Sequence, residues 1–376
     1  MVERISKKLI FYFAFVLLEI SKFVAQLDIF GNSKWIFIGA TFWIAVICML
    51  FLIFIEKVNL YEIILLALCG YSYYICRERY IVTLFVVSIA SKSIDKEAIV
   101  KLWTNIQIGI LASCIFIYPV CYWIGLPIAA AGYMGEGRFR YFFFFEHPNG
   151  FAVELCFTVM AYVYLNYKKT SFWKNSFLLI AASLFLWVFP NSKTPALLLV
   201  VYCLALAIYK YSEPLSRALL RYLPFGLILI SVFVIYVVAV RNVAWMDIIN
   251  SVLSGRLDLS IIALSQYKMN LWGQQLSQIG AYIEYEGFWR QLWIDIGYLR
   301  MLLACGVILT GFVLYRIIYF YERYIKICPL RAITLAMVFL LAVVEWGAFS
   351  IMTAFPLLYV SMSKDIENAD RNLWKV

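Results

Sequence analysis

The sequence predicts an all-α polytopic transmembrane bundle of about 11–12 helices with two long outer loops. Of 376 residues, 65% are hydrophobic and 14% are charged, with a mean hydropathy of +0.87. Soluble domains carry about 25% charged residues. Apolar runs that approach the ~20 residues needed to cross a bilayer recur along the chain, without the alternation of barrel strands. We therefore expect one integral membrane domain over residues 1–376.

The N-terminal segment is expected to be a retained first span. It reads MVERISKKLIFYFAFVLL, and Glu19, Lys22 and Gln26 stand where a cleavable signal needs small residues. The fourth run is short, and the last two are compatible with one long or re-entrant element. The predicted helices lie at about 9–26, 35–55, 59–75, 80–91, 102–125, 148–166, 175–190, 195–209, 222–240, 292–315, 332–345 and 348–362.

Charge distribution predicts the orientation of these helices. With a cytoplasmic N-terminus, most Lys and Arg residues fall in cytoplasmic connections, as the positive-inside rule requires, and the C-terminus is cytoplasmic too. Topology and anionic lipid headgroups account for the net charge of +10, so no nucleic-acid partner is expected. The nine cysteines are scattered singly, without metal-ligand spacing, so no metal or cofactor is expected.

Two predicted outer loops, at about 126–147 and 241–291, carry positive charge against this bias. Such charge on the outer side requires a local reason, and an anionic ligand would supply one. The basic residues are Arg138, Arg140, Arg241, Arg256, Lys268 and Arg290.

The first loop ends in RFRYFFFFEHPNG, which contains the only histidine. Pro148 suits the first position of a helix, which makes His147 the capping residue and puts Asn149 in the first turn. The N-terminus of a helix attracts phosphate, and Arg138 and Arg140 are close enough in sequence to fold over it. The alternative is a plain helix start, with the phenylalanines packed in the core or facing lipid.

The second loop and the helix after it hold further candidates. Arg256 follows Ser254-Gly255 and begins an amphipathic stretch suited to the bilayer surface. Asp295 and Tyr298 open the next helix, where the acid can orient Arg256 or serve as a helix-start carboxylate. The aromatic residues of this region are expected to form an interfacial belt, with stacking of one or two on sugar rings as the alternative. They are Trp245, Tyr267, Trp272, Tyr282, Tyr285, Phe288, Trp289 and Trp293.

Glu154 lies seven residues after His147, on nearly the same helix face. An ionisable group inside an apolar span usually faces the bundle interior or a wet cavity. Glu154 is therefore expected to support the imidazole or to pair with a buried cation.

Several motifs resemble bacterial O-antigen and capsular-polysaccharide polymerases, within the O-antigen ligase-like superfamily. The first is His147-Pro148-Asn149 at the outer start of a helix. Three motifs in order, Ser254-Gly255-Arg256, Asn270-Leu-Trp-Gly273 and Asp295-Ile-Gly-Tyr298, resemble the outer-loop pattern that O-antigen ligases and polymerases share. The segment PNSKTPALLLVVY at 190–202 is similar to their Ser-Arg-Thr segment before an apolar span, with Lys193 in place of arginine. The likeness covers about 100–310. Ile296 and Gln274-Gln275 depart from the pattern, and the late histidine of the ligases is missing, which favours a polymerase.

The resemblance implies a metal-independent membrane glycosyltransferase at the outer face of a bacterial plasma membrane. It would transfer a glycan from undecaprenyl diphosphate onto the next lipid-linked repeat unit, alongside other polysaccharide-assembly membrane proteins. Arg138, Arg140 and Arg256 would neutralise the diphosphate, His147 would act as base or contact the acceptor, and Asp295 would support them. Glu146 is the next candidate base. The remaining expected substrate contacts are Asn149, Glu154, Lys193, Arg241 and Tyr298.

Two other functions remain compatible with the sequence. A ligase would transfer the finished glycan to a different acceptor. A flippase of lipid-linked oligosaccharide would place its cations in a central cavity between repeated halves, whereas no repeat is visible here.

Overall fold

A computed structural model describes residues 2–31, 34–56, 58–126, 128, 130–134, 138–240, 250, 255–285 and 288–360. Within these ranges the chain is mostly helical, with twelve α-helices. They are α1 (Val2–Gln26), α2 (Lys34–Ile55), α3 (Leu60–Cys76), α4 (Arg79–Ala90), α5 (Lys96–Trp123), α6 (Pro148–Asn166), α7 (Phe172–Val188), α8 (Lys193–Tyr211), α9 (Glu213–Val240), α10 (Arg256–Gln266), α11 (Gly297–Ile327) and α12 (Pro329–Ala342).

Five of the described helices are long and apolar enough to cross a membrane, which indicates a membrane protein. They are α2, α5, α8, α11 and the Lys7–Gln26 part of α1, while α3, α4, α7 and α12 are shorter apolar helices. Eleven predicted spans coincide with α-helices, but the twelfth, at 348–362, does not. As far as residue 360 that stretch holds the end of one short 3-10 helix, Trp346–Phe349, and the whole of a second, Phe355–Tyr359.

Helix α12 lies at the centre of the bundle. All of its residues except Leu340 are buried, including the polar Arg331 and Thr334, as expected of a helix that is mostly apolar. It contacts α6, α8, α9 and α11, and the chain after it packs against α4, α5 and α12 instead of forming another span. The Trp103 indole N–H donates to the Met352 carbonyl at 2.8 Å, and the Tyr324 hydroxyl donates to the Tyr359 carbonyl at 2.8 Å. Such side-chain donors satisfy backbone groups that no helix pairs here.

Both predicted loops contain a β-hairpin. In the first, β1 (Ala131–Met134) pairs antiparallel with β2 (Arg138–Tyr141), with Gly132 opposite Arg140. In the second, β3 (Tyr282–Tyr285) pairs antiparallel with β4 (Phe288–Gln291). The Tyr141 N–H donates to the Phe189 carbonyl at 3.1 Å, so the first hairpin is held at the C-terminal end of α7.

Helix α11 is interrupted at Gly306, where φ is +77°. The Val307 and Ile308 N–H groups donate to the Asn270 and Leu271 carbonyls at 3.0 and 3.2 Å. The freed Ala304 carbonyl accepts from the Gln274 N–H at 2.9 Å. The segment at 270–274 thus supplies hydrogen-bond partners for the backbone groups that the break in α11 leaves unpaired. This is the structural role of the Asn-Leu-Trp-Gly motif.

The phenylalanine run before His147 forms a second core cluster with α1, α5 and α6. Phe143 stacks on Phe151 with ring centroids 4.4 Å apart, and Phe145 meets Phe23 edge-on at 6.3 Å. Phe143 and Phe144 have φ of +50° and +68°, which costs roughly 1–2 kcal/mol each for residues with a Cβ. Aromatic packing holds this bend and directs the chain into α6.

A buried ionic cluster joins α1 to α6. The Lys22 ammonium lies 3.0 Å from Glu19 Oε2 and 2.9 Å from Glu154 Oε2. The Thr353 hydroxyl and the Gln26 amide donate to Glu154 Oε1 at 3.0 and 3.2 Å. Glu154 therefore pairs with a buried cation, one of the two roles expected from the sequence.

Candidate functional site

The N-termini of α6, α8 and α11 lie at the same end of the bundle as the C-terminus of α12. His147 caps α6 with extended backbone angles, and its Nδ1 accepts the Asn149 N–H at 3.1 Å. In the neutral imidazole the proton then lies on Nε2, because only one ring nitrogen carries hydrogen. The side chain is exposed, so Nε2–H is available as a donor. This geometry favours a donor role for His147 over the expected base role.

Asn149 brings the first hairpin and α8 to this helix end. Its Oδ1 accepts from Arg140 Nη1 at 3.3 Å and from the Ser192 hydroxyl at 2.9 Å. Ser192 immediately precedes α8. The amide therefore sets the position of the Arg140 guanidinium relative to His147.

Arg256, the first residue of α10, lies between two acids. Its Nη2 lies 2.9 Å from Glu345 Oε1, and its Nε lies 3.5 Å from Asp295 Oδ2. Asp295 precedes α11 and is 31% exposed, whereas Glu345 is 11% exposed. The second loop, α11 and the end of α12 therefore meet at one guanidinium group.

The charges of these groups affect one another. Desolvation by the surrounding protein and then the Arg140 guanidinium lower the pKa of His147 below 6.5, while Asp295 opposes the shift. Burial raises the pKa of the Glu345 carboxyl to about 7, against the attraction of Arg256. At neutral pH the imidazole is therefore mainly uncharged, and Glu345 is close to its titration midpoint.

Glu146 is held by a different partner. Its carboxylate forms an ion pair with the buried ammonium of Lys34, which also donates to the Ala25 and Leu27 carbonyls at 3.3 and 3.1 Å. The Glu146 N–H donates to the Gln26 carbonyl at 2.8 Å. Glu146 therefore ties the start of α6 to the turn between α1 and α2, so a base role would require it to release Lys34.

Three predicted substrate contacts have described partners other than Arg140, Arg256 and His147. Glu154 belongs to the buried ionic cluster with Lys22. Tyr298 is buried and donates its hydroxyl to the Phe339 carbonyl at 3.0 Å, so it packs α11 against α12. Lys193 is exposed, with its ammonium 6.0 Å from the centroid of the Trp187 ring.

The remaining predicted cations are only partly described. The Arg138 backbone pairs with Met134 in the first hairpin, and its side chain lies outside the described part of the structure, as does that of Arg290. Arg241, Trp245 and Ser254 also lie outside the described residues. Lys268 is exposed in the second loop.

Sequence reasoning missed Ser192 and Glu345 as members of the site, and Arg300 beside it. Glu345 is nevertheless the acid nearest to Arg256 in the described structure. Arg300 lies in the first turn of α11, 2.9 Å from Glu78. The sequence could have indicated Arg300, because it comes five residues after Asp295 and both residues lie at the start of α11.

This arrangement can hold an anion at a helix N-terminus between two guanidinium groups. Arg140 and Arg256 supply the charge, His147 supplies a neutral N–H donor, and Asp295 supplies an accessible carboxylate. These are the groups needed to bind a phosphate and to accept a proton from an attacking alcohol. Comparison of the chain with protein-family models, curated proteins and solved structures yields no match.

Proposed function

We propose that this protein polymerises lipid-linked polysaccharide repeat units at the outer face of a bacterial plasma membrane. The donor is a glycan on undecaprenyl diphosphate, and the acceptor is the next lipid-linked repeat unit. The proposal rests chiefly on one observation: Arg140 contacts the first turn of α6 beside His147, and the Arg256–Asp295 pair lies close enough to His147 to affect its pKa. The resemblance of the motifs around these residues supports it.

The proposed reaction breaks the bond between the anomeric carbon and the diphosphate oxygen. The acceptor hydroxyl oxygen attacks that carbon, and undecaprenyl diphosphate leaves with the bonding electrons. Arg140 and Arg256 stabilise the negative charge that develops on the leaving oxygens. His147 donates from Nε2–H to an oxygen of the donor.

The acceptor proton passes to Asp295 in this proposal. Among the acids at this end, Glu146 is paired with Lys34, and Glu345 is more deeply buried than Asp295. The Asp295 contact with Arg256, at 3.5 Å, is also looser than that of Glu345 at 2.9 Å. The Glu146 side chain is more exposed than that of Asp295, 49% against 31%, but its carboxylate is held by Lys34. Asp295 is therefore the acid of the three that is both partly exposed and loosely held, and so the one best suited to accept a proton from a hydroxyl.

The test is reconstitution of the purified protein in liposomes with undecaprenyl-diphosphate-linked repeat units. The proposal predicts a ladder of longer glycans on lipid. Replacing Arg256 with Ala should slow ladder formation by roughly 10²–10³-fold, the range for removal of one charge-stabilising donor. Lys268→Ala is the matched control, because Lys268 is a basic residue on the exposed surface of the same loop.

Each alternative predicts a different product. A ligase would move the finished glycan to a non-identical acceptor without forming a ladder. A flippase would move the lipid between leaflets without changing its glycan. A wild-type ladder together with full activity of Arg256→Ala would remove Arg256 from the proposed mechanism.

A further inference from the structure

A tryptophan lies at the edge of the site, next to the residue that holds Arg256. Trp346 directly follows Glu345 and opens a 3-10 turn at Trp346–Phe349. The residue remains 40% exposed. Consecutive Cα atoms lie about 3.8 Å apart, so Trp346 is anchored within one residue of the arginine site.

One side of the Trp346 ring is covered by a fixed cation. The Arg300 guanidinium carbon lies 4.2 Å from the ring centroid. Arg300 Nη2 is itself held by Glu78 Oε1 at 2.9 Å, in a pair whose side chains are 12% and 17% exposed. The Tyr80 ring adds a tilted contact, with centroids 6.5 Å apart. The ion pair and Tyr80 therefore hold the indole in place, while part of the ring stays accessible.

The surroundings of this ring suit a sugar better than a lipid chain. An acyl chain on the ring would lie beside the Arg300–Glu78 pair and would cover the part of these charged groups that water still reaches, which is unfavourable. A pyranose has a face of C–H groups, which favour the negative face of an aromatic ring. Its hydroxyl groups can meanwhile bond to the neighbouring charged side chains.

We propose that Trp346, backed by Arg300, is the platform on which the first sugar of a lipid-linked glycan stacks. This inference rests on the proposed function, because it assumes that the diphosphate is held at Arg256. The sugar bonded to that diphosphate then lies over the exposed part of the indole. Trp346 acts in glycan recognition, whereas Arg140 and Arg256 bind the diphosphate whether or not it carries a sugar.

A competition between two lipids tests the platform. The detergent-solubilised protein is mixed with equal amounts of undecaprenyl diphosphate and of the same lipid carrying the repeat unit from the producing cells. Native mass spectrometry then counts each bound species. We expect the wild type to favour the glycan-bearing lipid by about tenfold, the value of one good stacking contact. Trp346→Ala should reduce this ratio to about one while still binding the bare lipid, and Trp346→Phe should retain part of the preference.

Trp173→Ala is the matched control. Trp173 is 72% exposed and lies in the first turn of α7. This turn follows the C-terminus of α6, whereas His147 lies at the N-terminus of α6. Trp173→Ala should keep the wild-type preference. Retained preference in Trp346→Ala would overturn the platform, as would equal binding of both lipids by the wild type, and neither result would affect the proposed function. Loss of bare-lipid binding in Trp346→Ala would show a structural role instead, and a wild type that binds neither lipid would overturn both proposals.

Discussion

At the residue scale, His147 uses its two ring nitrogens differently. Nδ1 accepts the Asn149 N–H at 3.1 Å, and this fixes the neutral tautomer with hydrogen on Nε2. The Asn149 amide in turn accepts from Arg140 and Ser192. A short polar segment at a helix start therefore determines both where the imidazole lies and which atom it offers to a ligand.

Two substitutions separate the donor role of His147 from a base role. The side-chain oxygen of asparagine can replace Nδ1 as the acceptor that caps the helix. The side-chain NH2 of glutamine can replace Nε2–H as a donor, but an amide cannot act as a base. We expect His147→Gln to keep the rate of ladder formation within about tenfold of wild type. The same change should lower stability by roughly 1 kcal/mol, because the helix cap is lost. His147→Asn should keep thermal stability but lose most activity. Initial rates and Tm measure both effects, and an inactive but folded His147→Gln would instead support a base.

Glu345 should make diphosphate binding depend on pH. Because the pKa of Glu345 is raised to about 7, this carboxylate gains a proton as pH falls from 8 to 6. Protonation removes the negative charge that competes for Arg256, so undecaprenyl diphosphate should bind more tightly at the lower pH. Glu345→Gln should abolish this part of the dependence. Equal pH dependence of Kd in both proteins would contradict the proposed competition.

At the element scale, the second loop and α11 interlock through two glycines. A Cβ on Gly273 would lie 2.1 Å from the Ala304 carbonyl oxygen, and one on Gly306 would lie 2.3 Å from the Gly273 nitrogen. Both glycines also have positive φ, +88° and +77°. The break in α11 and the loop that fills it therefore form as one unit.

Replacing Gly273 with Ala should lower stability by about 3 kcal/mol, because both the backbone angle and the contact are unfavourable. Gly311→Ala, in α11, is the control glycine replacement. A Cβ there meets nothing within 4 Å, so this change should raise stability by about 0.5–1 kcal/mol. Thermal unfolding in detergent reports both shifts. A Gly273→Ala protein as stable as wild type would show that the two segments do not interlock.

The Lys22 cluster is the second element-scale feature that can be tested. Lys22→Met would leave Glu19 and Glu154 buried without their cation, and should cost about 3–5 kcal/mol. Adding Glu154→Gln should recover part of that loss, because one uncompensated charge is removed. Lys101→Met, at an exposed position of α5, should leave Tm unchanged. No recovery in the double variant would contradict the pairing.

At the scale of the whole molecule, the end of the bundle that holds His147 should face outward. Cysteine is introduced at Lys268 in the second loop or at Lys169 beyond the far end of α6, both exposed positions. The partly exposed native Cys48, Cys121 and Cys203 are first replaced with Ser. A membrane-impermeant thiol reagent on intact cells should label the Lys268 position and spare the Lys169 position. The reverse pattern would contradict the orientation and, with it, the proposed function.

The helices were predictable because each apolar run carries its own signal. Eleven predicted spans coincide with helices, most of them with ends displaced by a few residues. The twelfth failed because 348–360 is apolar but buried among α4, α5 and α12, where side-chain donors such as Trp103 pair with its backbone. Apolar content predicts burial and does not by itself distinguish a helix from irregular chain.

The sequence by itself determined the class of the molecule, the positions of most helices and the unusual charge of two loops. Composition and periodicity along the chain are sufficient for these properties. Only the tertiary structure decided that Glu345 holds Arg256, that Lys34 holds Glu146 and that Glu154 pairs with Lys22. Each of these contacts joins residues 89–132 positions apart in the chain, and such partners are chosen by how the helices pack.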